Sequence, residues 1–169
     1  AELVQTTAWN GTLVVNIGPT ADGRIAPIFE ERLASLGGWL AANGAAIYGT
    51  RPWQGALPTG SEPPPSPKRR LKSHGGASAP GVAVAASVFY TATPDQRRVF
   101  AVVLAWPDGG TLELSVPRPA PTTNATLLSS GQPLAWKGCD APCTMAIELG
   151  PQPPLGTSLA WAVALDGLA

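Results

Sequence analysis

The sequence predicts an α/β strand–helix unit followed by an all-β antiparallel sandwich. Three observations carry this. A near-continuous apolar run, Leu13 to Ile17, leads through a Gly-containing turn into one long helical pattern. The stretch 54–80 is dense in Pro, Gly and Ser and has no periodicity. Beyond it, short apolar runs recur between turn signals.

Leu13 to Ile17 is broken only by Asn16, the pattern of a strand covered on both faces, as in parallel sheets. The loop "GPTADG", Gly18 to Gly23, follows, and Asp22-Gly23 is a strong turn pair because Gly tolerates positive φ. Pro27 suits a first helical position, where its missing N–H does no harm. Phe29, Leu33, Leu36 and Leu40 then recur at steps of four, three and four, which is one apolar helix stripe. Asn43-Gly44 is a C-terminal stop. Gly37 and Gly38 inside this helix each cost about 1 kcal/mol relative to Ala and would let it lie close to a neighbour. A strand, a loop and a helix make half of a βαβ repeat. The opening residues "AELVQTTAW" read as the middle of a folded domain, so a truncated or processed chain is expected.

The stretch 54–80 contains "PTGSEPPPSPKRRLKSHGGASAP" and reads as a flexible linker or loop that cannot build a core. After it come "VAVAASVFYTAT", "RRVFAVVLAWP", "GTLELSVP", "NATLLSS", "PLAWKG", "CTMAIELG" and "SLAWAVALDGL". Short strands at this spacing argue an antiparallel sandwich. Leu112, Leu114 and Val116 alternate with Glu113 and Ser115, giving one dry and one wet face. Three units are expected: 1–53, 54–80 and 81–169.

Lys plus Arg and Asp plus Glu both total 11. A formally neutral chain lacks the positive surplus of a general nucleic-acid or anionic-membrane binder. No apolar run approaches the about 20 residues of a membrane-spanning helix. His74, the sole histidine, falls in the linker without metal-binding partners, and "PKRR", Pro67 to Arg70, reads as a solvated basic run. Glu30 and Glu31 are adjacent on a helix and so point about 100° apart. They read as solvated charges, not as a pair flanking one bond.

"NGTLVVNIGPTADGRIAPIFEERLASLGGWLAANGAAIYGTRPW" closely resembles the last barrel strand and helix of the α-L-fucosidases of glycoside hydrolase family 29. "VFYTAT", "RRVFAVVLAWPDGGTLELSVP", "ATLLSSGQPLAWKG", "TMAIELG" and "SLAWAVALDGL" resemble, in order, the C-terminal β-sandwich of the same enzymes. The resemblance implies that 1–53 is the last β/α unit of a TIM-like (β/α)₈ barrel and that 81–169 is the appended sandwich. It implies a C-terminal fragment of a lysosomal or secreted retaining enzyme that hydrolyses α-L-fucosyl linkages of glycoconjugates. Retaining hydrolysis needs two carboxylates about 5–5.5 Å apart. The family carries them on earlier barrel strands, so no catalytic residue is assigned here, and this chain alone is expected to be inactive. The implied partner is a fucosylated glycan held by the missing barrel, with a homo-oligomer of the full-length enzyme admitted. No cofactor, metal, nucleic acid or membrane is implied. The linker is longer than the family pattern leads one to expect.

Asn16 sits near the C-terminal end of the expected barrel strand, where such barrels bind substrate. It is the one candidate substrate-binding residue, able to hydrogen-bond a sugar hydroxyl or hold a catalytic side chain. Cys139 and Cys143, separated by the three residues Asp-Ala-Pro between strand candidates, are expected to close a small disulfide in an oxidising compartment. Asn124-Ala-Thr and Asn10-Gly-Thr are glycosylation sequons. Asn124 is the candidate, because Asn10 directly precedes the expected buried strand. Trp106, Trp136 and Trp161 are read as strand residues of the core. The rival function is a non-enzymatic carbohydrate-binding β-sandwich module.

Overall fold

The structure is a computed structural model that describes residues 1–56, 88–115, 118–141, 144–152 and 160–169. Helix α1 spans Glu2–Ala8 and α2 spans Pro27–Asn43, continuing into a 3₁₀ turn, Gly44–Ala46. The strands are β1 (Arg51–Pro52), β2 (Val88–Ala92), β3 (Arg98–Val103), β4 (Thr111–Leu114), β5 (Pro119–Leu127), β6 (Gln132–Leu134), β7 (Trp136–Gly138), β8 (Met145–Glu148) and β9 (Trp161–Leu168). One sheet has the order β1-β2-β3-β9-β5-β6 and the other β4-β8-β7, and all pairs are antiparallel. Arg51 and Pro52, grouped by sequence with the barrel remnant, pair with Ala92 and Thr91 of the sandwich.

The core between the sheets follows from two-residue periodicity. Val99, Ala101 and Val103 of β3 and Trp161, Val163 and Leu165 of β9 face Leu112, Leu114, Met145 and Ile147 of the smaller sheet. The alternate residues are dry as well. Phe100 and Val102 of β3 and Ala162 and Ala164 of β9 form a second core with Val4 of α1 and Ala46, joined by half-buried Trp39 and Ile47. The central strands are therefore covered on both faces, which explains their unbroken apolar runs.

Two turns show why the strands end where they do. Between β2 and β3 the Thr93 hydroxyl donates to Asp95 (2.6 Å) and accepts from the Arg98 N–H (3.1 Å), while Gln96 takes a left-handed φ of 60°. The Thr93 hydroxyl first, and then the Arg97 N–H at 3.2 Å, hold the Asp95 carboxyl below its ordinary range. Across β3 and β9, Arg98 grips Asp166 at 2.7 and 3.0 Å. "PLAWKG", expected as one strand, is two. It changes sheet at Ala135, whose carbonyl accepts the Glu148 N–H at 2.8 Å.

Other expectations need correction. Leu13 to Ile17 forms no strand, and Val14 and Val15 are 83% and 55% exposed. A parallel-type strand depends on ladder partners, and no described residue pairs with this run. α1 was not foreseen. The Phe29/Leu33 end of the α2 stripe is exposed, and only Leu36, Trp39 and Leu40 are half-buried. Trp106 lies past the end of β3, whereas Trp136 and Trp161 stand in β7 and β9. His74 and Pro67 to Arg70 lie outside the described residues. Among the described residues no helix is long and apolar enough to cross a membrane.

Gly110 has φ +71°, and a Cβ there would collide with the Gly150 carbonyl oxygen. Gly110→Ala is expected to cost about 2 kcal/mol or more in urea unfolding. Gly138→Ala, with open space around it, should stay within about 0.5 kcal/mol. Tyr90 gives a pH signature. Its ring packs against Trp53 and the core, and burial holds its phenol well above the usual range. The unfolded chain releases that proton near pH ~10 while the native state keeps it, so stability falls as pH rises past that value. Tyr90→Phe is expected to flatten this alkaline slope in unfolding measured from about pH 9 to 11.

Candidate functional site

The segment bearing Asn16 is suspended between two anchored helices. α1 ends at Trp9. Asn10 then turns the chain with φ 60°, its N–H bonded to the Thr7 carbonyl at 3.0 Å, and Gly11 N–H reaches the Thr6 carbonyl at 2.8 Å. The chain next runs without secondary structure to Thr20, which organises the loop that follows. The Thr20 hydroxyl donates to Asp22 (2.5 Å) and accepts from the Arg24 N–H (3.0 Å), and the Thr20 N–H meets the Arg24 carbonyl at 2.8 Å. Arg24 pairs with Asp22 at 3.0 Å on an exposed surface, an arrangement that adds little stability.

The sandwich holds this unit at its far end. Trp39 donates its indole N–H to the Ala160 carbonyl at 2.8 Å, and the buried Thr91 hydroxyl donates to the Ala46 carbonyl at 2.7 Å. Asn43 is 1% exposed and donates to the Trp39 carbonyl at 3.2 Å; its Oδ1 has no partner among the described residues. Asn16 itself is exposed. A carboxamide offers one acceptor and two donors but does not exchange protons near neutrality, so its chemistry is binding. Glu30 and Glu31 are exposed on α2.

The sequence-derived candidates stand on separate elements and make no single site. Asn124 is exposed on β5, its amide donating to the Thr122 carbonyl at 3.3 Å, while Ala125 beside it is buried. Cys139 directly follows β7, is half-buried and is disulfide-bonded. Cys143, the only other cysteine in the chain, lies outside the described residues. Asn10 is exposed, and the strand whose burial argued against it is not formed. Among the described residues no group of three His, Cys, Asp or Glu could hold a metal. Sequence reasoning missed a cleft flanked by Trp106 and Glu148. The available signal was Pro-Asp-Gly-Gly directly after Trp106, which stops β3 before the indole.

Comparison with known proteins connects the two halves. The family profile described as alpha-L-fucosidase matches residues 1–45, and that described as alpha-L-fucosidase C-terminal domain matches residues 83–166. The chain matches the C-terminal portion of the α-L-fucosidases. An alpha-L-fucosidase of Branchiostoma floridae is 37% identical over 167 residues, 98% of this chain and 31% of that protein. The tissue alpha-L-fucosidase of Bos taurus is 35% identical over 99% of this chain and 30% of its own length. The chain thus spans about a third of the length of the curated relatives it matches. Among solved structures, the Thermotoga maritima alpha-fucosidase in complex with a mechanism-based inhibitor superposes with TM-score 0.66 at 22% identity, covering 98% of this chain and 33% of that one. The isoenzyme 1 of Paenibacillus thiaminolyticus gives 0.68 at 20% identity, covering 99% and 33%. At these identities the likeness is one of fold: the fucosidase C-terminal β-sandwich, preceded by a remnant of the barrel.

Within that fucosidase fold, the Asn16 segment lacks the hydrogen-bonded neighbours of a barrel strand. Amide protons of residues 12–19 are expected to exchange rapidly, near the rate of an unstructured peptide, while those of β3 and β9 are retained far longer. Equal protection of both regions in a monomer, measured by mass spectrometry, would contradict this arrangement.

Proposed function

We propose that the chain forms the C-terminal part of a retaining α-L-fucosidase that hydrolyses α-L-fucosyl linkages of glycoconjugates. Its catalytic carboxylates would lie on barrel strands outside these residues. The carrying observation is the tandem match of residues 1–45 and 83–166 to the two fucosidase regions in one order. The exposed Val14, Val15, Ile28, Phe29 and Leu33 support it, since apolar side chains on this extended segment and helix suit burial in a barrel wall. The rival, a purely carbohydrate-binding sandwich, leaves that surface and the 1–45 match without a role.

In this reading 1–53 closes the barrel, 54–80 links and 81–169 buttresses it. Asn16 hydrogen-bonds the sugar or steadies a catalytic side chain. Thermotoga structures include a complex with fucose, which supports a fucosylated ligand for the assembled enzyme. A lysosomal or secreted location is supported by relatives named tissue and plasma α-L-fucosidase and by the disulfide at Cys139. Cys143 is its proposed partner, and Asn124 on its exposed strand face is the proposed glycosylated residue.

The chain alone, incubated with an aryl α-L-fucoside, is expected to show no turnover. Measurable hydrolysis would refute the placement of the carboxylates. The transcript upstream of Ala1 is expected to encode barrel strands ending in Asp and Glu, and a start codon close to Ala1 would favour the rival. In the enzyme extended by that sequence, Asn16→Ala should lower turnover while the thermal midpoint stays unchanged. Native and reduced chains should differ by two hydrogens in mass, about 2 Da, as one disulfide requires.

A further inference from the structure

The turn that ends α1 carries a motif that the barrel reading leaves unused. Asn10, Gly11 and Thr12 are all exposed and form the acceptor pattern Asn-X-Thr, with no proline in the middle position. The Asn10 N–H is held by the Thr7 carbonyl at 3.0 Å and the Gly11 N–H by the Thr6 carbonyl at 2.8 Å. A Cβ at Gly11 would meet the Thr6 methyl at 2.8 Å, so the turn closes this tightly because a glycine is there. Its main chain is therefore fixed. The Asn10 carboxamide and the Thr12 hydroxyl, by contrast, make no hydrogen bond among the described residues.

The other acceptor pattern differs. Asn124 pairs with Asp166, and Thr126 lies between Ala164 of β9 and Pro133 of β6. The Asn124 amide already donates to the Thr122 carbonyl at 3.3 Å. Asn10 stands in no strand, so its acceptor atoms are reachable in the folded chain as well as in the nascent one. A left-handed helix end favours Asn for its own sake, but that preference does not call for a hydroxyl two residues later.

We propose that Asn10 is an N-glycosylation site, occupied in addition to Asn124. The donor is an oligosaccharide carried on a lipid pyrophosphate. The Asn10 Nδ2 bonds to the anomeric carbon of the first sugar as the bond from that carbon to the phosphate oxygen breaks. The carboxamide gives up one proton, and the lipid pyrophosphate leaves. The Thr12 hydroxyl is the group the transferase recognises. The proposal rests on the secretory location proposed above, because the donor belongs to that route. In the barrel reading Asn10 lies at the N-terminal end of the last strand, whereas barrel chemistry sits at the C-terminal ends. Asn16 is six residues further on, about 20 Å away at about 3.3 Å per extended residue. A glycan on Asn10 thus stands clear of the substrate end.

The full chain is expressed behind a secretion leader in a mammalian cell line, which supplies the compartment and leaves only the acceptor in question. Secreted and cell-retained protein are both treated with peptide N-glycosidase in heavy-oxygen water, which converts a glycosylated Asn into labelled Asp. Trypsin then separates Asn10, in residues 1–24, from Asn124, in residues 99–137, and both peptides are read by mass spectrometry. Label at Asn10 is expected in most molecules. Thr12→Ala should cut it about tenfold and Thr12→Ser should retain it, because a hydroxyl at that position is what is recognised. Asn-Gly pairs also deamidate spontaneously, so a portion is held in the same water without the glycosidase, and label there should be minor. Unlabelled Asn10 in both fractions would overturn the proposal. So would label that persists in Thr12→Ala or appears equally without the glycosidase. The readout involves no fucoside, so failure of the fucosidase reading leaves it untouched.

Discussion

The structure depends on two adjacent strands being dry on both faces. β3 and β9 pair from Arg98↔Asp166 to Val103↔Trp161. Their inward residues fill the space between the sheets, and their outward ones receive Val4, Ala46, Trp39 and Ile47. The two sheets are thus two layers of a three-layer arrangement in which the N-terminal helices cap the larger sheet. Burying a large aliphatic side chain contributes about 1.5–3 kcal/mol, so this second core contributes on the scale of the whole net stability of a domain. Small outward residues, Ala162 and Ala164, allow the cap to approach closely. The two hydrogen bonds from Trp39 and Thr91 to main-chain carbonyls then fix its position.

Much of this architecture was legible in the residues. Pro27 and Asn43-Gly44 bounded α2 closely, and turn signals between alternating runs marked the antiparallel strands. Local chemistry decides both, so a sequence read without neighbours suffices. What failed was decided by contacts remote in the chain. Leu13 to Ile17 has the composition of a buried strand, but composition supplies no ladder partner. The apolar run of β3 reads as a strand, yet nothing local reveals that helices cover its second face. "PLAWKG" alternates acceptably through Ala135, so a change of sheet leaves no mark on the pattern. For the candidate site, Asn16 was visible as the one polar break in an apolar run. The Trp106 cleft was hidden, because it depends on Gly150 and Leu149 returning beside a residue more than 40 positions earlier.

The chain therefore has two unequal regions. Around β3 and β9 the apolar residues have partners on every side. From Val14 to Leu33 the same kinds of residue face outward, with Val14 at 83% exposure. Exposed apolar side chains in this number suit an interaction surface or make an association hazard, and α2, which bears Ile28, Phe29 and Leu33, is anchored only near its C-terminal end.

The passage from β6 to β7 through Ala135 alone leaves no slack. Leu134 belongs to one sheet and Trp136 to the other, and Trp136 is tied back to β5 by a 2.9 Å bond from its indole to the Thr123 carbonyl. Moving one register by a single residue would turn its side chains to the opposite face and drag the other with it. The two sheets are thus keyed together like the wards of a lock. Length changes during evolution would have to be absorbed at the Ser129–Gly131 turn before β6, never at this joint.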